Sequence, residues 1–273
     1  MDHHKPQRCT RRCALLHSAR AASALALQPL VTHCHADSST QSTHSPAPDS
    51  GVTAAVSESL RLPDSVAGIS LPNSELTRAA AQLAFEASPP ELFYHVMRTF
   101  VFGAMVMDAR GERFDRELAF LGSALHDLGL VERFMSPDQQ FELDGADKAQ
   151  EFLLAQGVPA DRVATVWDAI AMHTTVWLAA RKQPEVAIVS QGAFADVAGF
   201  GLDALDSARV AEVLEVFPRL NFKQSVIDTM VEHCRRKPQA VMLSQFAESG
   251  RRHLQDYQPP ILEDLLLAAP FDS

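Results

Sequence analysis

The chain has 273 residues, of which 47% are hydrophobic and 21% are charged, a balance typical of a globular protein with a sizeable core. The formal net charge is −10 and no block of Lys or Arg occurs, which argues against a nucleic-acid or anionic-membrane partner. No run of about 18 or more apolar residues occurs, so the sequence predicts no transmembrane helix. Three of the four cysteines lie within the first 34 residues, which excludes a disulfide framework in the remainder.

Residues 1–55 differ in composition from the rest and are predicted to be an N-terminal extension of a single domain, residues 56–273. Arg11 and Arg12 precede a moderately apolar stretch, and this arrangement resembles a twin-arginine export signal. Residues 36–55 are rich in Ser, Thr and Pro and are predicted to be a disordered linker. If the signal operates, we expect an exported or periplasmic protein. If the segment carries no address, we expect a cytoplasmic one.

From Leu71 onward the sequence carries the start and stop signals of helices, and no stretch alternates with period two for long enough to indicate a sheet. The fold class is therefore predicted to be all-α. The first predicted helix starts after Asn73 or Ser74 as N-cap and runs to about Ala87. The second starts at Ser88 and Pro89 and ends before Gly111. A later helix has Asp144 near its N-cap and ends before Gly157, and the next one starts at Pro159.

The segment "ELAFLGSALHDLGLVE", Glu117 to Glu132, is predicted to be one apolar helix because leucines recur at spacings of three and four. It nevertheless carries His126 and Asp127 side by side, close to its most hydrophobic turn. Burying either ionisable group without a partner is costly. The pair therefore indicates a partner inside the fold.

Three further polar residues lie in or at the end of apolar helices: His95 in "ELFYHVMRTFVFG", His173 after "VATVWDAIAM" and Asp196 in "GAFADVAGF". Each taken singly is more often a hydrogen-bonded core histidine, or an aspartate in a cap or an ion pair. Taken together they indicate a divalent metal ion inside a helix bundle, because one ion satisfies all of them. Mixed His and Asp ligands suit Zn or Fe.

In order, His95, His126-Asp127 and Asp196 resemble the H…HD…D signature of the HD-domain superfamily of metal-dependent hydrolases. The motifs "LFYHVMRTFVFG", "FELDGADKAQEFL" and "FPRLNFK" followed by "KP" resemble the cyanamide hydratase-type HD proteins, over about residues 85–240. The resemblance implies an HD helical bundle with a metal site in its core. His95, His126, Asp127 and Asp196 would be the ligands, with Zn as the first choice of metal and Fe as the alternative.

The resemblance also implies an enzyme that adds water to a small nitrile such as cyanamide to give urea, through metal-bound hydroxide. Addition to a nitrile needs a proton donor, for which His173 is the first candidate. Glu142 and Asp144 are alternatives as acid, base or orienting groups, and a helix N-cap explains Asp144 equally well. Arg98 is expected to pair with a site carboxylate or to form a structural salt bridge. His233 and His253 are expected to lie at the surface or to pair with a partner group, and Cys234 is expected to be a packed or incidental thiol.

Two other functions compete with the hydratase interpretation. The first is an HD phosphohydrolase acting on a nucleotide or phosphodiester. Many such enzymes carry a lysine in an HDxGK motif, where this chain has Leu130, and its neighbourhood is acidic. The second is a non-catalytic metal-binding helical module. We expect a small-molecule substrate, and the aliphatic stretch "ILEDLLLAAPF" leaves a homo-oligomer open, since it can pack on its own domain or on another subunit.

Overall fold

The protein is described here from a computed structural model, and the structure describes residues 60–271. These residues belong to the unit Val56–Ser273. The predicted export signal and linker belong to the other unit, Met1–Ala55, and lie outside the described residues. None of the described helices combines the length and the apolar character that crossing a membrane would need.

Residues 60–271 form twelve α-helices and almost no β-structure, which confirms the predicted all-α class. The helices are α1 Glu75–Ala87, α2 Pro90–Ala109, α3 Arg116–Leu125, α4 Phe141–Ala155, α5 Ala160–Ala171, α6 Val176–Ala179, α7 Pro184–Ala198, α8 Ser207–Val216, α9 Phe222–Arg236, α10 Pro238–Val241, α11 Phe246–His253 and α12 Leu262–Leu267. Short 3-10 helices span Leu128–Leu130, Glu132–Phe134 and Leu202–Ala204.

Several helix boundaries follow the local signals in the sequence. Ser74 caps α1, its side chain accepting a hydrogen bond from the Thr77 amide at 3.2 Å. Pro89 precedes the first residue of α2, and Gly199 ends α7 in the left-handed conformation that glycine favours. These ends were predictable because each depends on residues close in sequence.

A small β-hairpin precedes the helices and was not predicted. Strands β1 (Ser65–Val66) and β2 (Ile69–Ser70) pair antiparallel, with Val66 opposite Ile69. The turn between them places Ala67 and Gly68 at φ of 51° and 76°, as the favoured two-residue hairpin turns require. Strands of two residues are too short to produce a period-two pattern.

Helices α2 and α7 cross at the centre of the core with their backbones in close contact. A Cβ atom at Gly192 of α7 would lie 1.9 Å from the Thr99 carbonyl oxygen, and one at Gly103 of α2 would lie 2.5 Å from the Ile188 carbonyl oxygen. Larger residues at these two positions would therefore force the helices apart. The close crossing brings polar side chains of α2 and α7 within hydrogen-bonding distance of each other.

Candidate metal centre

His126 and Asp127 lie just beyond the end of a helix rather than inside one. α3 ends at Leu125, His126 is its C-cap, and Asp127 has φ of −102° and ψ of 12° before the 3-10 helix begins. The prediction of one continuous helix from Glu117 to Glu132 is therefore wrong. The change of backbone direction lets both adjacent side chains face one point, which a regular helix, with about 100° between neighbours, makes difficult.

Gly129 explains how the chain turns so tightly after the His-Asp pair. A Cβ atom on this residue would lie 2.0 Å from the carbonyl oxygen of Phe141 and 2.8 Å from its carbonyl carbon. Both atoms belong to the first residue of α4. Only glycine allows the 3-10 helix to approach α4 this closely, so the glycine of "HDLG" has a structural role in placing the pair.

Ligand atoms from His95, His126 and Asp127 converge in the core, all within 4.8 Å of one another. Asp127 Oδ2 lies 3.4 Å from His95 Nε2 and 3.3 Å from His126 Nε2. All three residues are buried. Two imidazoles, one from α2 and one from the C-cap of α3, therefore lie against one carboxylate.

The hydrogen bonds of the histidines determine which ring nitrogen faces this cluster. In His95, His126 and His173, the Nδ1 atom lies within hydrogen-bonding distance of an oxygen that accepts. The acceptors are Asp196 Oδ2 at 2.7 Å, the Ser123 carbonyl at 2.8 Å and the Ile170 carbonyl at 2.6 Å, respectively. A carbonyl oxygen or an ionised carboxylate only accepts, so Nδ1 carries a proton in all three rings. Each ring, when neutral, therefore presents the lone pair of Nε2 to the cluster.

This arrangement sets lone pairs of nitrogen against a carboxylate and needs a positive charge between them. His126 Nε2 is buried and has no hydrogen-bond partner among the described residues. Burial alone would lower the pKa of His126, yet the Asp127 carboxylate raises it above its ordinary value. Burial would raise the pKa of Asp127, but the His126 and His95 imidazoles hold it below its ordinary range. The donor set therefore fits a divalent cation such as Zn or Fe.

Asp196, which was predicted to be a direct ligand, lies on the Nδ1 side of the His95 ring, away from the Nε2 atom that faces Asp127. Its Oδ2 accepts from His95 Nδ1 at 2.7 Å and from Arg98 at 2.8 Å, while Oδ1 accepts from Arg98 at 2.8 Å and Arg219 at 2.6 Å. Four donors thus occupy both oxygens. In this geometry the carboxylate orients His95, as acceptors beside metal-binding histidines commonly do.

Arg98 forms the predicted pair with a site carboxylate. Its guanidinium binds Asp196 through two parallel hydrogen bonds and is completely buried. Its remaining nitrogen donates to the carbonyl oxygens of Phe217 and Pro218, each at 3.0 Å. Arg98 therefore links α2, α7 and the segment before α9.

His173 follows the C-cap of α5, so it lies beyond the helix that it was expected to end. Its Nε2 is 3.7 Å from Asp127 Oδ1, and its ring lies edge-on to the His126 ring with centroids 4.7 Å apart. Burial, together with the neighbouring His126, lowers the pKa of His173 to about 3. With Nδ1–H held by a carbonyl, this neutral ring can accept a proton at Nε2 before it can donate one.

The two carboxylates considered as alternatives to His173 have different surroundings. Glu142 is buried, its Oε1 accepts from the Thr174 hydroxyl at 2.8 Å, and its Oε2 has no partner among the described residues. Burial raises the pKa of Glu142. Asp144 instead accepts from Lys237 Nζ at 2.7 Å and from a backbone amide at 3.1 Å.

The N-cap explanation for Asp144 is wrong because α4 begins earlier, with Gln140 as its cap. Both members of the Asp144–Lys237 pair are at most 2% exposed at the side chain, so the pair is a buried ion pair. Within residues 60–271, neither hydrogen-bond donor to Asp144 is a site histidine. Asp144 therefore joins α4 to the end of α9 rather than orienting a ligand.

His253 lies at the surface, which is one of the two expectations, whereas His233 is buried and pairs with a backbone carbonyl. His233 is 1% exposed, its Nδ1 donates to the Thr229 carbonyl at 2.9 Å, and it packs against the rings of Phe141 and Phe246. His253 is exposed. Cys234 is the packed thiol that was predicted, since it is buried and donates to a carbonyl oxygen at 3.2 Å.

A cavity of about 100 Å³ opens beside the converging ligand atoms. Its wall combines His95, His126, Asp127 and His173 with Thr174 and Gln245, and the remainder is apolar. The apolar part includes Leu130, Phe141, Phe194, Phe222, Val226 and Phe246. No lysine or arginine within residues 60–271 is part of this wall.

Sequence reasoning missed two residues that shape the site, Phe222 and Arg219. The Phe222 ring stacks on His95 with centroids 4.7 Å apart and planes 23° apart. The guanidinium groups of Arg98 and Arg219 lie 5.3 and 4.8 Å from the centroid of Phe222. Both missed residues occur in the motif "FPRLNFK", so the signal was present although their roles were not apparent.

Comparison with known proteins supports the superfamily prediction. A search of curated proteins found no match. The family model described as the HD domain matches residues 92–196, a segment that begins three residues before His95 and ends at Asp196. HD-domain proteins are commonly metal-dependent hydrolases. The matched segment, with its buried His95, His126 and Asp127, is thus similar to a metal-dependent HD domain.

Proposed function

We propose that the protein is a metal-dependent hydratase that adds water to a small nitrile, such as cyanamide, which would give urea. The observation that carries the proposal is the small, mostly apolar cavity beside the ligand cluster, whose wall contains no lysine or arginine among the described residues. A nitrile is compact and uncharged, so such a cavity suits it. The alternative substrates, nucleotides and phosphodiesters, carry anionic phosphate.

The positions of the basic residues support a neutral substrate. Enzymes that bind phosphate use Arg, Lys or helix N-termini. Around this site, however, Arg98 and Arg219 both pair with Asp196, and Lys237 pairs with Asp144. Leu130, where many HD phosphodiesterases carry a lysine, contributes an apolar side chain to the cavity wall.

His95, His126 and Asp127 would hold the metal ion, and Asp196 would keep His95 in the tautomer that leaves Nε2 free. A divalent ion held by such ligands activates water for attack at neutral pH. The Ser123 carbonyl does for His126 what Asp196 does for His95. The protein thus fixes both imidazoles before a substrate binds.

His173 is proposed to move the proton that hydration requires. The oxygen of water becomes bonded to the nitrile carbon, and one proton must pass from that oxygen to nitrogen. Because the Nε2 lone pair of neutral His173 faces the cluster, this nitrogen would relay the proton from oxygen to nitrogen, and the low pKa of the buried ring would keep it from retaining the proton. A second transfer from oxygen to nitrogen completes the amide, and no oxidant or reductant is consumed.

The Thr174–Glu142 pair is proposed to assist at the nitrogen. Thr174 lines the cavity and hydrogen-bonds to Glu142, whose pKa is raised by burial. The Thr174 hydroxyl donates to Glu142 Oε1, which fixes Thr174 Oγ1 at the cavity wall. This oxygen would then accept a hydrogen bond from the N–H group that hydration creates.

The proposal is tested by two assays on the purified, metal-loaded protein: release of urea from cyanamide, and release of phosphate or nucleoside from a nucleotide panel. We expect urea release and no nucleotide turnover. The variant His126→Ala should lose both metal and urea release, whereas His253→Ala, at an exposed histidine, serves as the matched control. Turnover of nucleotides without turnover of nitriles would refute the hydratase proposal. Unchanged metal content in both His126→Ala and Asp127→Ala would refute the ligand assignment.

A further inference from the structure

A second cavity, of about 160 Å³, adjoins the cavity at the metal centre. The two share three wall residues, Leu130, Phe222 and Val226. We call the second space the outer cavity. Because the same side chains form both walls, the outer cavity lies directly behind the wall of the site.

The shared wall has one fixed part and one part that can move. Phe222 is 3% exposed and is held between the His95 ring and two guanidinium groups. Leu130 and Val226 are only partly buried. Leu130 lies on the short 3-10 helix that follows Asp127, and Val226 lies one turn after Phe222 on α9. A rotamer change at either aliphatic residue would open a passage between the cavities.

The outer cavity is suited to an uncharged, apolar group. Pro89, Leu92 and Val131 add to the apolar wall that the shared residues provide. Among the polar groups there, the Thr229 hydroxyl donates to the Ser225 carbonyl at 2.8 Å and Glu132 pairs with Arg236 at 2.9 Å, while Ser225 adds a hydroxyl to the wall. Cavities of about 150 Å³ with apolar walls bind a molecule the size of benzene.

We infer that the outer cavity binds an apolar substituent of the substrate while the reacting group lies at the metal centre. The substrate class would then be a nitrile with an aliphatic substituent of up to about six carbons, which passes between Leu130 and Val226. This inference rests on the proposed function, and it narrows the substrate from any small nitrile to one with such a substituent.

The test is calorimetric binding of straight-chain nitriles, from acetonitrile to octanenitrile, to the metal-loaded protein. If each added methylene is buried, affinity should rise by about fourfold per methylene and then level off near the sixth carbon. Two variants fill the outer cavity from different helices, Ser225→Phe on α9 and Leu92→Phe on α2, so one remains informative if the other fails to fold. Gln224→Phe, at an exposed position on α9, is the matched control.

We expect the rise in affinity with chain length to stop at the shortest nitriles in both filling variants and to persist in Gln224→Phe. Affinity that is independent of chain length in the unaltered protein would overturn the inference. A rise that both filling variants retain would overturn it as well, because the substituent would then bind elsewhere. Turnover of the same nitriles is scored separately. Absence of turnover with an intact chain-length dependence would count against the proposed function and not against the outer cavity.

Discussion

Replacement of Asp196 by Asn tests whether this carboxylate orients His95 and pairs with Arg98, because the substitution keeps the shape of the side chain and removes its charge. Each oxygen of Asp196 accepts hydrogen bonds from two donors, of which one is His95 Nδ1 and the others belong to Arg98 and Arg219. In either orientation, the amide nitrogen of Asn would set a donor against two donors. The guanidinium of Arg98 would also lose its anion while fully buried.

The expected loss of stability is large for a single conservative substitution. Removing one member of a buried ion pair typically costs about 3–5 kcal/mol, because the remaining charge is left without compensation. We therefore expect the free energy of unfolding of Asp196→Asn to fall by about 3–5 kcal/mol. Since His95 also loses the acceptor that orients it, we expect metal affinity to fall by about 10–100-fold.

The assay is urea denaturation of the metal-free protein, so that a change in metal affinity does not contribute to the measured stability. Metal affinity is then measured separately on the folded variant. Asp108→Asn is the matched control, because Asp108 pairs with Arg116 at the surface, where both side chains are about 40% exposed. Such pairs contribute about 0–1 kcal/mol, so the control should remain close to the unaltered protein.

Retained stability together with complete loss of metal binding in Asp196→Asn would refute the orienting role of Asp196. That combination is the one expected of a direct ligand with no ion pair, as the sequence motif implied. A loss of stability of about 1 kcal/mol or less would likewise contradict the buried pair with Arg98.

Three further predictions concern pH and packing. Burial would raise the pKa of Asp196, but the contacts with His95 and Arg98 keep this pKa below its ordinary value in the folded protein. The ionised carboxylate therefore contributes fully to stability above the unfolded pKa of about 3.9. Urea denaturation at a series of pH values should therefore show that the free energy of unfolding decreases as the pH falls below about 4. This decrease should be less steep in Asp196→Asn. Gly129→Ala should lower the free energy of unfolding by about 1–3 kcal/mol, because the new methyl meets the Phe141 carbonyl; an unchanged value would contradict the close approach. In the same assay, Lys237→Met should lower the free energy of unfolding by about 3–5 kcal/mol, and the double variant Lys237→Met with Asp144→Leu should lower it by less. Equal losses in the single and double variants would exclude a pair between Lys237 and Asp144.

Local sequence determined much of the helical framework. The Ser74 cap, the proline at the start of α2 and the left-handed Gly199 each depend on residues within one helical turn. The end of α3 at Leu125 was not predicted, because the apolar periodicity of the sequence continues through the 3-10 helix although the backbone has already turned. The turn is stabilised by packing against α4, which local periodicity does not encode.

The candidate site likewise combines features that the local sequence predicts with features that it does not. The residue types and order of His95, His126 and Asp127 were enough to predict a buried metal centre, because an ionisable group in an apolar segment needs a partner wherever it lies. Which partner each group finds depends on elements far apart in the chain. Asp196 meets His95 because α2 and α7 cross at Gly103 and Gly192, and it lies on the Nδ1 side of the ring.

The sequence alone therefore determined the helical class, many of the helix ends and the chemical character of the site, since these follow from local periodicity, capping and the cost of burying charge. Only the tertiary structure decided that Asp196 accepts from His95 Nδ1, that His233 is buried and that Phe222 and Leu130 line two adjoining cavities. These features depend on distances between side chains that are remote in sequence, and packing between the helices sets those distances.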